Sequence, residues 1–305
     1  MGLLDGKVVI VTGAGRGIGR GEALECAAQG AAVVVAEFDA DAGEAVAKEI
    51  AAAGGRAVAA SGDVADAEVA NRLVSTAVSE FGQLDALVNN AGILRDRTIA
   101  KLTDDDWDAV VRVHLRGHFL PTRAAVQYWK DAKRPGHVVS TASTSGLLGN
   151  FGQTNYGAAK AGIAAFSTIV AMEGARGGIT SNAIAPNALT RMTLDLMPKE
   201  FRDKHDAQVA AGEFDFFAAE NIAPLVAFLC SDASAHISGK VFGVQGDSIE
   251  IFQPFTSVAE VTNGGKKWDP EDIPGRIDEL FSASGIQAGA ENMMAKMRYQ
   301  ILAEH

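Results

Sequence analysis

Short apolar runs along this chain alternate with longer stretches in which apolar residues return every three or four positions. KVVIVT (Lys7 to Thr12), AAVVVAEFD, RAVAASGDV, LDALVNNAG and a β-rich run from His137 to Thr141 read as strands. Helical periodicity fills the intervals, over Ala40 to Ala53 and again up to about Glu80. This repeated alternation predicts an α/β fold, with a parallel sheet covered on both faces and ligands gathered at the carboxyl ends of the strands. Later strands are expected at roughly Ile179 to Ile184 and in KVFGVQGD. From about Glu250 the alternation stops, and the tail reads as loop plus two short helices. The 305 residues thus divide into an α/β domain over 1–250 and a C-terminal extension over 251–305. Between the last two strands, Arg191 to Ala219 reads as a substrate lid. Met192, Leu194, Leu196, Met197 and Phe201 offer an apolar wall there, or plain helix packing, and Phe214, Phe216 and Phe217 lead toward the next helix.

Composition adds exclusions. Apolar residues make up 48% and charged residues 21%, a globular balance that argues against disorder. The net charge of -11 supports neither nucleic acid nor an anionic membrane as a partner. Cys26 and Cys230 are the two cysteines, both on expected helices, which reads as small buried hydrophobes in a reducing compartment. No apolar run approaches a membrane span and the N-terminus carries no signal-peptide pattern, so a cytoplasmic protein is expected. The six histidines lack ligand spacing with acids or cysteines, and no metal is expected.

The first strand runs into GAGRGIGR, where Gly13, Gly15, Gly17 and Gly19 crowd the turn into a helix beside Arg16 and Ile18. Missing Cβ atoms let the backbone approach a pyrophosphate, whose charge meets the helix N-terminus. Such a loop also serves as a plain turn, but its place at the start of an α/β chain favours a dinucleotide. The second strand ends in Glu37, whose carboxylate suits the ribose hydroxyls and repels a 2′-phosphate, which argues for NAD. Arg16 could instead pair with that phosphate, or be a solvated loop charge. Asp63 and Val64 could flank the adenine, although Asp63 or Asp66 could equally cap the next helix. The fourth strand stops at Asn89, Asn90, Ala91 and Gly92.

Chemistry concentrates in STASTSGLLGNFGQTNYGAAK. Tyr156 and Lys160 stand four apart on one face of an expected helix, so the ammonium can lie near the phenol and draw its pKa down from about 10. Ser143, where a strand ends and a Gly-rich loop begins, can present its hydroxyl to the same substrate oxygen. A YxxxK pair also arises on helices by chance, so it takes its weight from the rest of the chain.

TGAGRGIG, NNAG, Ser143 and YxxxK at these separations resemble the short-chain dehydrogenases/reductases over roughly Leu3 to Gly246. The resemblance implies a single doubly wound Rossmann domain with a seven-stranded parallel sheet, NAD(P)-dependent hydride transfer and a homodimer or homotetramer. It implies Tyr156 as acid/base, Lys160 on the nicotinamide ribose, Ser143 on the substrate oxygen, and Pro186 and Thr190 beside the cofactor. One departure stands out: His114 in RVHLRG occupies the place of the usual Asn of a proton relay, or is a packed helix histidine. ILRDRT, VHLRGHF, GNFGQTNY and IAPNALTRMT are similar to a narrower branch that shares this His, the hydroxyacyl-CoA dehydrogenase part of the peroxisomal multifunctional enzymes. Pro121, in the helix after His114, is expected to kink it unless that turn is already broken. The small-molecule substrate implied is a secondary alcohol, foremost a (3R)-hydroxyacyl-CoA, with a 17β-hydroxysteroid as the second reading. A dinucleotide sensor without turnover is a third, against which the intact Ser143, Tyr156 and Lys160 speak.

Overall fold

Val8–Thr12 (β1) is apolar without alternation because both of its faces are covered, and it lies in the interior of the sheet. The computed structural model describes residues 2–188, 199–253, 255–291 and 293. β2 (Ala32–Glu37) and β3 (Arg56–Ser61) extend the sheet on one side of β1. β4 (Ala86–Asn89), β5 (Gly136–Thr141), β6 (Ile179–Pro186) and β7 (Val241–Gln245) extend it on the other, all in parallel. The order is β3-β2-β1-β4-β5-β6-β7-β8, so the direction of winding reverses between β1 and β4, where ligands of such sheets bind.

Helices fill both faces. α1 (Gly17–Ala28), α2 (Ala40–Ala52) and α9 (Ala223–Leu229) lie over one, against Val9, Val11, Val33, Val35, Val139 and Ile184. α3 (Ala67–Phe81), α5 (Gly117–Asp131) and α7 (Thr154–Gly174) cover the other, where Trp129 is fully buried and donates from Nε1 to the Leu84 carbonyl at 2.8 Å. Asp66 caps α3, accepting from the amides of Glu68 and Val69, which leaves Asp63 free of that duty.

Two features depart from the expectations. The sheet has eight strands rather than seven: β8 (Ser248–Phe252) folds back antiparallel on β7. A two-residue connection, Gly246-Asp247 with Gly246 at φ +50°, makes this hairpin, and the half-exposed SIEIF run lacks the continuous apolar character of the inner strands. The second lies before α5. α4 (Asp104–Val111) passes into one π-helical turn, Arg112–Arg116, and only then into α5, which continues through Pro121. The break expected at the proline thus falls about two turns earlier, at His114.

Met1–Phe252 forms one compact unit and Gln253–His305 a second. The latter contains α10 (Ile273–Ser284), where Arg276 pairs with Glu279 and lies over the Trp268 ring. Most of the second helix expected in the tail lies outside the described residues. So do Met192, Leu194, Leu196, Met197 and Thr190, and the Phe201 side chain. The described part of the expected lid contains α8 (Lys199–Ala210), and Phe216 and Phe217 meet edge to face at 5.2 Å.

Candidate active site

At the carboxyl ends of β1 to β4 the sheet opens into a cleft of about 900 Å³. Gly13, Arg16, Gly17, Ile18 and Gly19 form one wall, Glu37, Asp63 and Val64 the far end, and Asn90, Ala91 and Gly92 the floor. The glycine loop is tight by construction. Gly13 stands at φ +64°, and a Cβ on Gly19 would lie 2.3 Å from both Asn90 Nδ2 and the Gly13 carbonyl. No side chain caps α1, so its first amides face the cleft unengaged. A dinucleotide pyrophosphate fits this cradle.

The Glu37 carboxylate is oriented by three backbone amides, Gly15 at 2.8 Å, Phe38 at 2.9 Å and Asp39 at 3.4 Å, and its remaining lone pairs are available to ribose hydroxyls. Arg16 forms an ion pair with Asp39 at 2.5 Å, and this guanidinium holds the Asp39 carboxyl below its ordinary range. Asp63 pairs with Arg112 at 2.7 Å.

Sequence reasoning passed over Thr12 and Asn155. The Thr12 hydroxyl accepts from the amides of Asn90 at 3.0 Å and Ala91 at 3.2 Å, while Asn90 Nδ2 donates to the Thr12 carbonyl at 3.0 Å, tying floor to loop. Asn155, fully buried, donates to the Arg95 carbonyl at 3.0 Å and accepts from the Tyr156 amide at 2.8 Å, which anchors the start of α7. Both signals were local, a Thr before the glycines and an Asn before the Tyr.

Ser143 lies two residues beyond the end of β5 and caps the short α6 (Thr144–Leu148), accepting from the Ser145 amide at 3.1 Å. Its hydroxyl also reaches the Tyr156 phenol. Burial drives that phenol up to about 12, the Ser143 hydrogen bond pulls against it and Asp96 adds to it. The downward shift expected from Lys160 is not what the structure shows, because burial of the phenol outweighs anything gained from Lys160. Its Nζ donates to the Thr141 carbonyl and stands 5.5 Å from the Tyr156 ring centroid. Burial brings Lys160 down to about 7, with Glu22 opposing.

The π-helical turn aims His114 at the same point. Its ring meets Tyr156 edge to face at 5.2 Å, and Nε2 lies 3.1 Å from the Ile93 amide and 2.8 Å from the Ile93 carbonyl. Burial, then the Lys160 charge, push its pKa down to about 3, so the imidazole is neutral near pH 7. Gly92 makes room for it, since a Cβ there would lie 2.4 Å from His114 Cε1. Gly92→Ala is therefore expected to lose about 1–3 kcal/mol in chemical denaturation and to lower kcat; wild-type stability and turnover would show that this ring is free to move. Pro186 closes β6 on the same side, and Asn187 donates from Nδ2 to Gln245 Oε1 at 3.1 Å. Among the described residues no cluster of three metal-ligating side chains occurs, and no helix is long and apolar enough to cross a membrane.

Residues 7–200 match the family described as short chain dehydrogenase. A hydroxyacyl-CoA dehydrogenase of Mycobacterium tuberculosis is 40% identical over 291 residues, covering 92% of this chain and 90% of that protein. The peroxisomal multifunctional enzyme type 2 of Mus musculus is 43% identical over 246 residues, 79% of this chain but 32% of that longer protein. A crystal structure of a short chain dehydrogenase from Mycobacterium avium superposes with a TM-score of 0.84 at 42% identity, over 95% of this chain and 99% of that one. Agreement of this extent in both sequence and fold makes the chain a member of the short-chain dehydrogenase family, oxidoreductases that work with a nicotinamide dinucleotide.

Proposed function

We propose that this enzyme uses NAD to oxidise the 3-hydroxyl of a (3R)-hydroxyacyl-CoA to a ketone. The observation that carries the reaction class is the meeting of the Ser143 and Tyr156 hydroxyls beside His114, with Lys160 buried behind them. Tyr156 takes the proton of the substrate hydroxyl, Ser143 holds its oxygen, and Lys160 with His114 passes the proton outward. His114, neutral near pH 7, acts by exchanging tautomers rather than by becoming a cation. When bound, the dinucleotide accepts the hydride and in its oxidised form brings a positive charge that favours phenolate.

NAD over NADP follows from Glu37 facing the cleft and from Arg16 being engaged by Asp39. The thioester substrate is favoured by two relatives, one named as a hydroxyacyl-CoA dehydrogenase and the other as a peroxisomal multifunctional enzyme. Apolar side chains exposed on α5 and α7, Phe119, Ile169 and Met172, support a homo-oligomer, and two free cysteines support a cytoplasmic setting.

NADH appearance, followed by its near-ultraviolet absorbance, is to be compared for resolved 3R and 3S hydroxyacyl-CoA and for a 17β-hydroxysteroid. Turnover confined to the 3R thioester is expected. Turnover of the steroid with comparable kcat/KM, or of neither class, would overturn the substrate assignment.

A further inference from the structure

His114 Nδ1, His118 Nε2, Asn89 Oδ1 and Ser140 Oγ are buried with no hydrogen-bond partner among the described residues. The backbone brings them to one place. Leu87 and Val138 belong to the core beneath α3 and α5, and Asn89 and Ser140, two positions further along β4 and β5, face the same side. These two are register partners across the strands. Asn89 Nδ2 donates to Thr122 Oγ1 on α5 at 2.9 Å, which leaves Oδ1 at the other edge of its amide. His118 stands one turn before Thr122 on the same buried stripe of α5, which continues through Ala125 and Trp129, and its ring meets the backbone of Asn89 and of His114. His114 lies one interval of four residues before His118, in the π-helical turn. These atoms thus gather where β4 and β5 end beneath that turn.

Ile93 leaves the His114 tautomer open. Its amide at 3.1 Å suits a bare Nε2 and its carbonyl at 2.8 Å suits a protonated one, so the choice falls to whatever meets Nδ1. Burial lowers the pKa of both histidines, and each imidazole is neutral near pH 7. Buried polar groups are ordinarily satisfied, by ordered water where the protein supplies too few partners. A water molecule donates twice and accepts twice. Asn89 Oδ1 only accepts and the Ser140 hydroxyl donates, so the two imidazole nitrogens divide the remaining roles, one accepting and one donating. The His114 and Asn89 carbonyls hold the His118 proton on Nδ1, hence its Nε2 accepts and His114 Nδ1 donates.

We propose that His114, His118, Asn89 and Ser140 form a buried water-binding site, and that His118 acts through this water as a positioning residue which sets the His114 tautomer. The proposal rests on the reading of His114 as a relay group. A relay ring must release a proton from one nitrogen as it gains one on the other. Here each nitrogen faces partners of both kinds, the Ile93 amide and carbonyl at Nε2 and the water at Nδ1. Both tautomers are then hydrogen-bonded, and His118 decides which is the resting one.

The test is nitrogen NMR of the histidine rings in isotope-labelled protein, which separates protonated from bare ring nitrogens, in the wild type, His118→Phe and His118→Gln. His114→Asn identifies the His114 signals. The wild type is expected to carry the His114 proton on Nδ1. In His118→Phe one acceptor is gone, the water donates to Nδ1 instead, and the His114 proton moves to Nε2. There kcat falls at least about tenfold, the cost of a wrong tautomer, with NADH affinity unchanged. His118→Gln supplies an amide oxygen in place of Nε2 and restores both the tautomer and most of kcat. A His114 tautomer that is the same in wild type and His118→Phe, or an equal loss of kcat in the Phe and Gln variants, would overturn the proposal. So would a wild-type crystal structure with a side chain, rather than water, against His114 Nδ1, an outcome that needs no variant to fold. Failure of the enzyme to oxidise any hydroxyacyl-CoA would sink the substrate assignment alone, because the tautomer is read without substrate.

Discussion

Tyr156→Phe is expected to lower kcat by at least about 10³-fold while leaving NADH affinity essentially unchanged. The substitution removes one oxygen and keeps the ring that packs against His114, so the fold of the site should persist. Its sense with pH follows from the direction of the shift: a phenol pushed up to about 12 is protonated at neutral pH in the free enzyme. Reduction of a ketone therefore starts from the resting form, whereas oxidation of an alcohol requires the phenolate and should accelerate as pH rises. Substantial turnover by the Phe variant, measured with saturating dinucleotide, would remove Tyr156 from the chemistry.

Glu37→Gln should change which dinucleotide is used. The variant keeps an oxygen for the Gly15 amide, yet loses the charge that favours ribose hydroxyls and repels a 2′-phosphate. Hydrogen bonds to charged groups contribute about 1.5–3 kcal/mol, so Kd for NAD should rise by roughly tenfold or more while NADP gains. Adding Asp39→Asn releases Arg16 from its ion pair and should strengthen NADP further. The ratio of kcat/KM for the two dinucleotides measures the effect, and an unchanged ratio in the double variant would show that selectivity lies elsewhere.

Much of the fold was legible because its signals are local. Unbroken apolar runs gave β1 and β2 their places, and the glycine crowd between strand and helix located the cleft that Glu37 and Asn90 also line. YxxxK spacing put Tyr156 and Lys160 on one helix, α7. What depended on the rest of the molecule was missed. Lys160 spends its hydrogen bond on the Thr141 carbonyl, and burial governs the phenol, two facts of packing that spacing on a helix does not contain. Thr12 joins two segments distant in sequence, the end of β1 and residues 88–91. The β7–β8 hairpin was hidden because an alternating edge run after a tight turn looks like the beginning of a tail.

The π-helical turn at Arg112–Arg116 can be seen as an insertion that the helix has absorbed. Taking one residue out would return the segment to plain α-helix and bring α4 and α5 into a common phase. It would also swing His114 by about 100°, away from Ile93 and Tyr156. Within these five residues the backbone can survive a deletion that the site cannot, so length changes harmless to folding would be written directly into catalysis.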